Sequence, residues 1–411
     1  MTAAEAAVED GWLDRTRPRL RPSVRVGPPL WEGPRRIHVV GDRDTGAFLR
    51  VGEREAFLVA RLDGSAPLSA IGAEYAARFG RRLAAEHWRS LLGMLEARGL
   101  LEGAAPELLD RVRASAEAAR RAEGRSPLRW RLPLRGAAEA VPAVARAVGW
   151  LFALPVAAPL TLLGTLACGY ALLSWRELYA AFTGAPAPWS VAVVSLLVVW
   201  AMMGAHEYGH GVACHRYGGR PGEIGLMWRL PLVALYCKTD DQVLFPKTWQ
   251  RVATSFAGVY VNLVALLPVA ALWLWGPQSG WWHGLAGAVL FFGTVATLVN
   301  LVPVLGLDGY HMLAHALSTL HLQRHTLRFV GHLLRGRAGD YPVRARIVHS
   351  GYALLATAVL GPAAVGVIAV WYLTLAELWG PLWAVLALTA EGVLLALLIR
   401  WFLRRGRGKE S

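Results

Sequence analysis

The run His206-Glu207-Tyr208-Gly209-His210 brings together two imidazoles and a carboxylate. On a helix, positions i and i+4 differ by about 40° of rotation, so both imidazoles project from one face. That spacing lets them hold one zinc ion, with Glu207 beside it to take a proton from water. The stretch before it, Trp189 to Ala205, carries no charge. Polar groups at the end of such a stretch are costly at membrane depth unless they are used. A catalytic zinc takes three protein ligands and keeps one position open. Asp308, in Asn300-Leu301-Val302-Pro303-Val304-Leu305-Gly306-Leu307-Asp308-Gly309, is the candidate third ligand. Asp240 and Asp241 are rivals from another loop, and Cys214 shares the helix face of His210. Blander readings stand beside these: Asp308 as a turn residue before Gly309, and His206 and His210 satisfying each other in a helix bundle. His311 and His315 are also four apart, but without a carboxylate pair they read, with His321, His325 and His332, as a solvated loop. Glu391 interrupts a late apolar run, facing either a helix partner or a cavity.

Holding such groups falls to helices that cross a bilayer. Of 411 residues, 55% are apolar and only 18% charged, against about 25% charged in soluble proteins. Mean hydropathy is +0.36, so an integral membrane protein is expected, and disorder, collagen-like repeats and a purely soluble enzyme are excluded. Three scattered cysteines, Cys168, Cys214 and Cys237, make no disulfide framework. Residues 1–21 show no signal-peptide pattern, so the chain is expected to start in the cytoplasm. Runs long enough to span the membrane predict six helices. They lie within Ala147–Trp175, from near Trp189, within Val252–Trp275, within Gly284–Gly306, within Ser350–Ala376 and within Leu378–Ile399.

The loops alternate in charge. Arginines crowd residues 111–146, and Arg216, Arg220, Arg229, Lys238, Lys247 and Arg251 fall between helices two and three. Six arginines from Arg324 to Arg346 follow helix four, and Arg400 to Lys409 close the chain. The intervening loops carry a single basic residue, Arg176, beside Glu177. The positive-inside rule therefore places both termini and both large loops in the cytoplasm. The +14 net charge then marks orientation and lipid headgroups rather than nucleic acid. Helices two and four both run inward, so His206, His210 and Asp308 meet near the cytoplasmic surface. An error of one span would separate them by about 30 Å.

Ahead of the membrane, Arg36–Gly41 and Ala47–Val51 flank Asp44-Thr45-Gly46 as a hairpin. Helices are predicted over Glu53–Leu62, Leu68–Phe79 and Leu83–Arg98. The expected fold is thus an all-α polytopic membrane protein with a small α+β winged-helix-like cytoplasmic domain. Its parts are an arm (1–35), that domain (36–103), an amphipathic connector (104–146), the membrane domain (147–403) and a basic tail (404–411). The third helix mixes Arg89 and Arg98 with Glu86 and Glu96, a poor surface for phosphates.

His-Glu-x-x-His followed by Asn-x-x-Pro-x-x-x-Leu-Asp-Gly resembles the site-2 protease family of intramembrane zinc metalloproteases, over roughly residues 189–310. Ala257-Gly258-Val259-Tyr260-Val261-Asn262 is similar to that family's Ala-Gly-Pro-x-x-Asn segment, with Val259 in place of the proline. The resemblance implies that His206, His210 and Asp308 bind one zinc and that Glu207 is the general base. It also implies that Asn300 and Asn262 help hold the substrate. Tyr217-Gly218-Gly219, Pro231 through Tyr236, and Leu307 to His311 running into Thr326-Leu327-Arg328 resemble one branch. These are peptide zinc metalloproteases of bacteriocin and modified-peptide gene clusters, the daptide type among them. That branch often carries a front domain similar to the PqqD peptide-binding fold, which the hairpin and three helices resemble.

The resemblance implies leader removal or maturation of a ribosomally made precursor peptide, bound by the N-terminal domain, at the bacterial cytoplasmic membrane. Other modified-peptide biosynthesis or export proteins are implied partners. Two alternatives remain open here: cleavage of a membrane-anchored signalling protein of the anti-sigma type, and a non-catalytic export or immunity component. Signalling members usually carry PDZ or CBS modules, and neither pattern is present.

Overall fold

In the computed structural model the chain is described over residues 11–123, 129–229 and 232–407. Four strands open it: β1 (Val24–Val26), β2 (Leu30–Glu32), β3 (Arg35–Asp42) and β4 (Ala47–Gly52). β3 is central, paired antiparallel with β4 along one edge and with β1 and β2 along the other. The arm expected over residues 1–35 therefore supplies two strands. Each is three residues long and Pro28-Pro29 separates them, too short for an alternating pattern to register.

The turn after β3 is built on Asp42, whose carboxylate accepts hydrogen bonds from the Asp44 backbone N–H, the Thr45 hydroxyl at 2.7 Å and Arg21 at 2.8 Å. Three helices follow: α1 (Glu53–Val59), α2 (Leu68–Phe79) and α3 (Ala85–Ala97). Val40, Val59, Leu62, Leu68, Ile71, Trp88, Leu95 and Leu100 form their shared core with the sheet.

The stretch expected as a connector has more structure than its sequence suggests. It forms α4 (Pro106–Glu123), β5 (Arg129–Pro133) and α5 (Ala137–Val148). Next come α6 (Leu154–Leu173), the short α7 (Trp175–Thr183) and α8 (Pro188–Arg216). A hairpin of β6 (Ile224–Arg229) and β7 (Leu232–Cys237) then pairs with β5 to make a three-stranded antiparallel sheet. β5 acquires its partners only about 100 residues later in the chain, a pairing no local pattern announces.

The chain continues through α9 (Thr248–Trp275), α10 (Gly280–Leu301), α11 (Asp308–Ala316) and β8 (Thr319–Leu320). It ends in α12 (Leu322–Leu333), α13 (Val343–Trp379) and α14 (Pro381–Arg407). Among the described residues five helices, α6, α8, α9, α10 and α13, are long and apolar enough to cross a membrane. They make this a membrane protein. The sixth expected span falls in α14, where the apolar stretch is the shorter Pro381–Leu394.

The bundle packs closely because small residues face neighbouring backbones. A Cβ on Gly164 of α6 would lie 2.8 Å from the Leu263 carbonyl of α9, and one on Gly287 of α10 would lie 2.8 Å from the Leu178 carbonyl of α7. Val191, Met202, Val259, Leu266 and Leu290 fill the interior. The first sheet extends into this region, since β8 pairs in parallel with β2 and Trp31 N–H donates to the Ser318 carbonyl at 2.8 Å.

Among the described residues, those from Thr326 onward form a second compact unit. Within it Thr326 hydrogen-bonds His349 at 2.9 Å, and Phe329, Tyr341 and Ala345 pack together. Glu391 on α14 accepts a hydrogen bond from the Trp371 indole of α13 at 3.0 Å, so a helix partner accounts for it.

Candidate metal centre

α8 carries His206 and His210 in its C-terminal half, both buried, one helical turn apart. Their Nε2 atoms lie 3.2 Å from each other. The Thr254 carbonyl of α9 sits 2.8 Å from His210 Nδ1. A carbonyl can only accept, so Nδ1 carries the proton and Nε2 presents its lone pair.

Asp308 is the first residue of α11, where an acidic side chain complements the helix dipole. The chain reaches it from α10 through a tight reversal with Leu305 and Gly306 in the left-handed region, φ +59° and +74°. For leucine that conformation costs on the order of 1 kcal/mol. Gly309 permits the turn's close packing, because a Cβ there would overlap the Leu301 carbonyl.

The reversal brings Asp308 Oδ2 to 2.9 Å from His206 Nε2 and Oδ1 to 3.3 Å from His210 Nε2. Oδ2 is buried, and no donor is aligned on it for a hydrogen bond. Two imidazole nitrogens and one carboxylate thus point at a common space, their ligand atoms all within 4.8 Å of one another. Zinc–nitrogen bonds of 2.0–2.1 Å in a tetrahedron imply ligand–ligand edges of about 3.3 Å. The observed separations of 2.9–3.3 Å lie at or slightly inside that edge, with the two carboxylate oxygens facing one imidazole each. Gly258 of α9 faces the same space, where a Cβ would fall against Nε2 of both histidines. The donor set and the room around it fit a zinc ion.

Glu207 points toward the second sheet, where its carboxylate takes a hydrogen bond from the Cys237 backbone at the end of β7. Asn262 is buried on α9 and its amide approaches Met203 Sδ at 3.8 Å; Asn300 on α10 approaches the same sulfur at 4.0 Å. Met203 is three residues before His206, so both amides lie beside the ligand helix one turn from the imidazoles.

The rivals stay apart from this cluster. Asp241 accepts the Arg220 backbone N–H at 2.8 Å, and neither it, Asp240 nor Cys214 joins the ligand group. The histidines expected in a solvated loop lie largely on helices. His315 is buried on α11, where burial, then His311 and the Arg251 charge, push its pKa down to about 3. A neutral core imidazole results.

Gly258, Met203 and Cys237 are the contributors that sequence reasoning passed over. Gly258 alone had a signal, its place in the Ala257–Asn262 segment between two chemical motifs.

No family model and no solved structure matches the chain. It is 27% identical over 126 residues to a Synechocystis sp. protein described as a "putative zinc metalloprotease". The match covers 31% of this chain, and the chain spans about a third (32%) of that relative's length.

Proposed function

We propose that the protein is an intramembrane zinc metalloprotease of the site-2 protease type. The observation that carries the reading is the meeting of His206, His210 and Asp308, from two separated helices, around one metal-sized space. Zinc held by these three side chains would supply Lewis acidity toward the scissile carbonyl.

The remaining chemistry belongs to the chain. Glu207 takes a proton from the attacking water as its oxygen bonds to the carbonyl carbon, then returns that proton to the leaving amine as the C–N bond breaks. The Thr254 carbonyl fixes the tautomer of His210, and the Cys237 N–H orients Glu207. Asn262 and Asn300 hold the backbone of an extended substrate beside α8.

The substrate is a ribosomally made precursor peptide, cleaved at the cytoplasmic side of a bacterial cell membrane with both chain termini in the cytoplasm. The N-terminal domain, similar to the PqqD fold, captures its leader by strand addition or in a groove. That capture raises the effective concentration of the cleavage site near the metal. Purified Glu207→Gln protein should bind zinc normally and cleave nothing; cleavage by this variant at the wild-type rate ends the proposal. Deleting residues 1–104 should weaken precursor binding, and unchanged affinity would remove the recognition role.

A further inference from the structure

The end of the helix bundle away from Asp308 holds a cavity that proteolysis leaves unused. Its volume is about 550 Å³, within the usual range of small-molecule sites. Four helix ends surround it: Tyr170 near the end of α6, Glu177 in the first turn of α7, Trp273 near the end of α9, and Ser279, Gly280 and His283 at the start of α10. Along α9, the stretch from Gly258 to Trp273 places the cavity about 22 Å from the imidazoles at 1.5 Å per residue.

Its lining carries two opposite chemistries. His283 stacks on Trp273 with ring centroids 4.1 Å apart, and its Nδ1 is buried with no partner among the described residues. Trp273 Nε1 donates to the Tyr170 hydroxyl at 3.0 Å, leaving the phenolic O–H to donate into the cavity. Ser279, the N-cap of α10, makes no capping bond with its side chain, so the first-turn N–H groups keep their partial positive charge. The Tyr170 hydroxyl and the first-turn N–H groups of α10 suit an anion, with the His283 imidazole beside them. Glu177, also lining the cavity, is exposed and makes no ion pair among the described residues, which suits a cation.

The depth is marked as well. Trp275 and Trp282, flanking the cavity in sequence, are 82% and 57% exposed. Amphipathic rings at the ends of membrane helices sit at the level of lipid headgroups.

We propose that this cavity binds the headgroup of an ethanolamine phospholipid in the leaflet opposite the metal site. The phosphate lies against His283, Tyr170 and the N-terminus of α10, and the primary ammonium against Glu177. A soluble phosphoamine shares this chemistry, but the exposed tryptophans and Leu274 favour a ligand with acyl chains.

The test uses the full-length protein solubilised from vesicles of equal phosphatidylethanolamine and phosphatidylglycerol, with retained lipid counted by native mass spectrometry. Wild type should keep the ethanolamine lipid in about tenfold preference, the size of one hydrogen bond to a charged group. Glu177→Gln should bring that ratio near one, and His283→Ala should lower retention of both lipids. Equal retention by wild type, an undiminished preference in Glu177→Gln, or displacement of the lipid by soluble phosphoethanolamine overturns the proposal. The readout involves no proteolysis, so it succeeds or fails apart from the metal-site reading.

Discussion

Gly258→Ala isolates the geometry of the metal site with a single methyl group. The added Cβ would sit 2.5 Å from His210 Nε2 and 2.6 Å from His206 Cδ2. Ordinary contact needs about 3.5 Å, so the imidazoles or α9 must yield by about 1 Å. Metal–ligand distances tolerate only about ±0.2 Å. Zinc affinity should therefore fall on the order of 100-fold, the upper end of what disturbing a supporting group costs. Folding should survive, because alanine favours a helix over glycine by about 1 kcal/mol. The assay is zinc content of the detergent-purified protein across a chelator series, with helicity and melting as folding controls. Gly361→Ala on α13, where a Cβ meets nothing within 4 Å, serves as the matched control and should bind zinc like wild type. Wild-type zinc affinity in Gly258→Ala would refute the assignment of that space to the metal.

Three further outcomes follow from the same structure. Arg251 is buried and donates to the Phe245 carbonyl, Thr248 and Ser318, so Arg251→Met should cost about 1–3 kcal/mol by stranding buried acceptors; an unchanged melting temperature would contradict this. Burial alone would raise the Asp42 carboxyl, but the hydroxyls of Ser23 and Thr45, the Asp44 N–H and the Arg21 charge outweigh it and hold the pKa below its ordinary value. Its stabilisation is thus complete above the unfolded pKa of about 3.9 and is lost as pH falls through the folded value. Protection factors across β3 and β4, corrected for the intrinsic pH dependence of exchange, should fall on acidification in wild type and change less in Asp42→Asn. Trp31→Pro removes the N–H that bonds the Ser318 carbonyl and should loosen β8, read as faster exchange over residues 317–322; unchanged protection there would show that β2 does not brace it.

The chemistry was far more legible than its setting. His206, Glu207 and His210 announce themselves because a helix turns local spacing into a shared face. Asp308 could be paired with them because the charge of the loops puts both motifs at one end of the bundle. The strand β5 was hidden, since Arg129 and Arg131 read as loop charges until β6 is there to pair with them. The role of Cys237 was hidden likewise, because it acts through a backbone N–H that any residue type could supply. β1 and β2 fell below the length at which alternation is visible. The packing of α10 against α7 depends on small residues whose absence of bulk leaves no pattern in hydropathy.

The most direct test of the central claim is the zinc-edge X-ray absorption spectrum of the full-length protein, compared with that of Asp308→Ala. One zinc per chain with two imidazoles and a carboxylate oxygen in its first shell, and loss of that shell or of the metal in the variant, is the predicted result. A wild-type protein without stoichiometric zinc, a sulfur ligand, or a spectrum indifferent to Asp308→Ala would contradict the account.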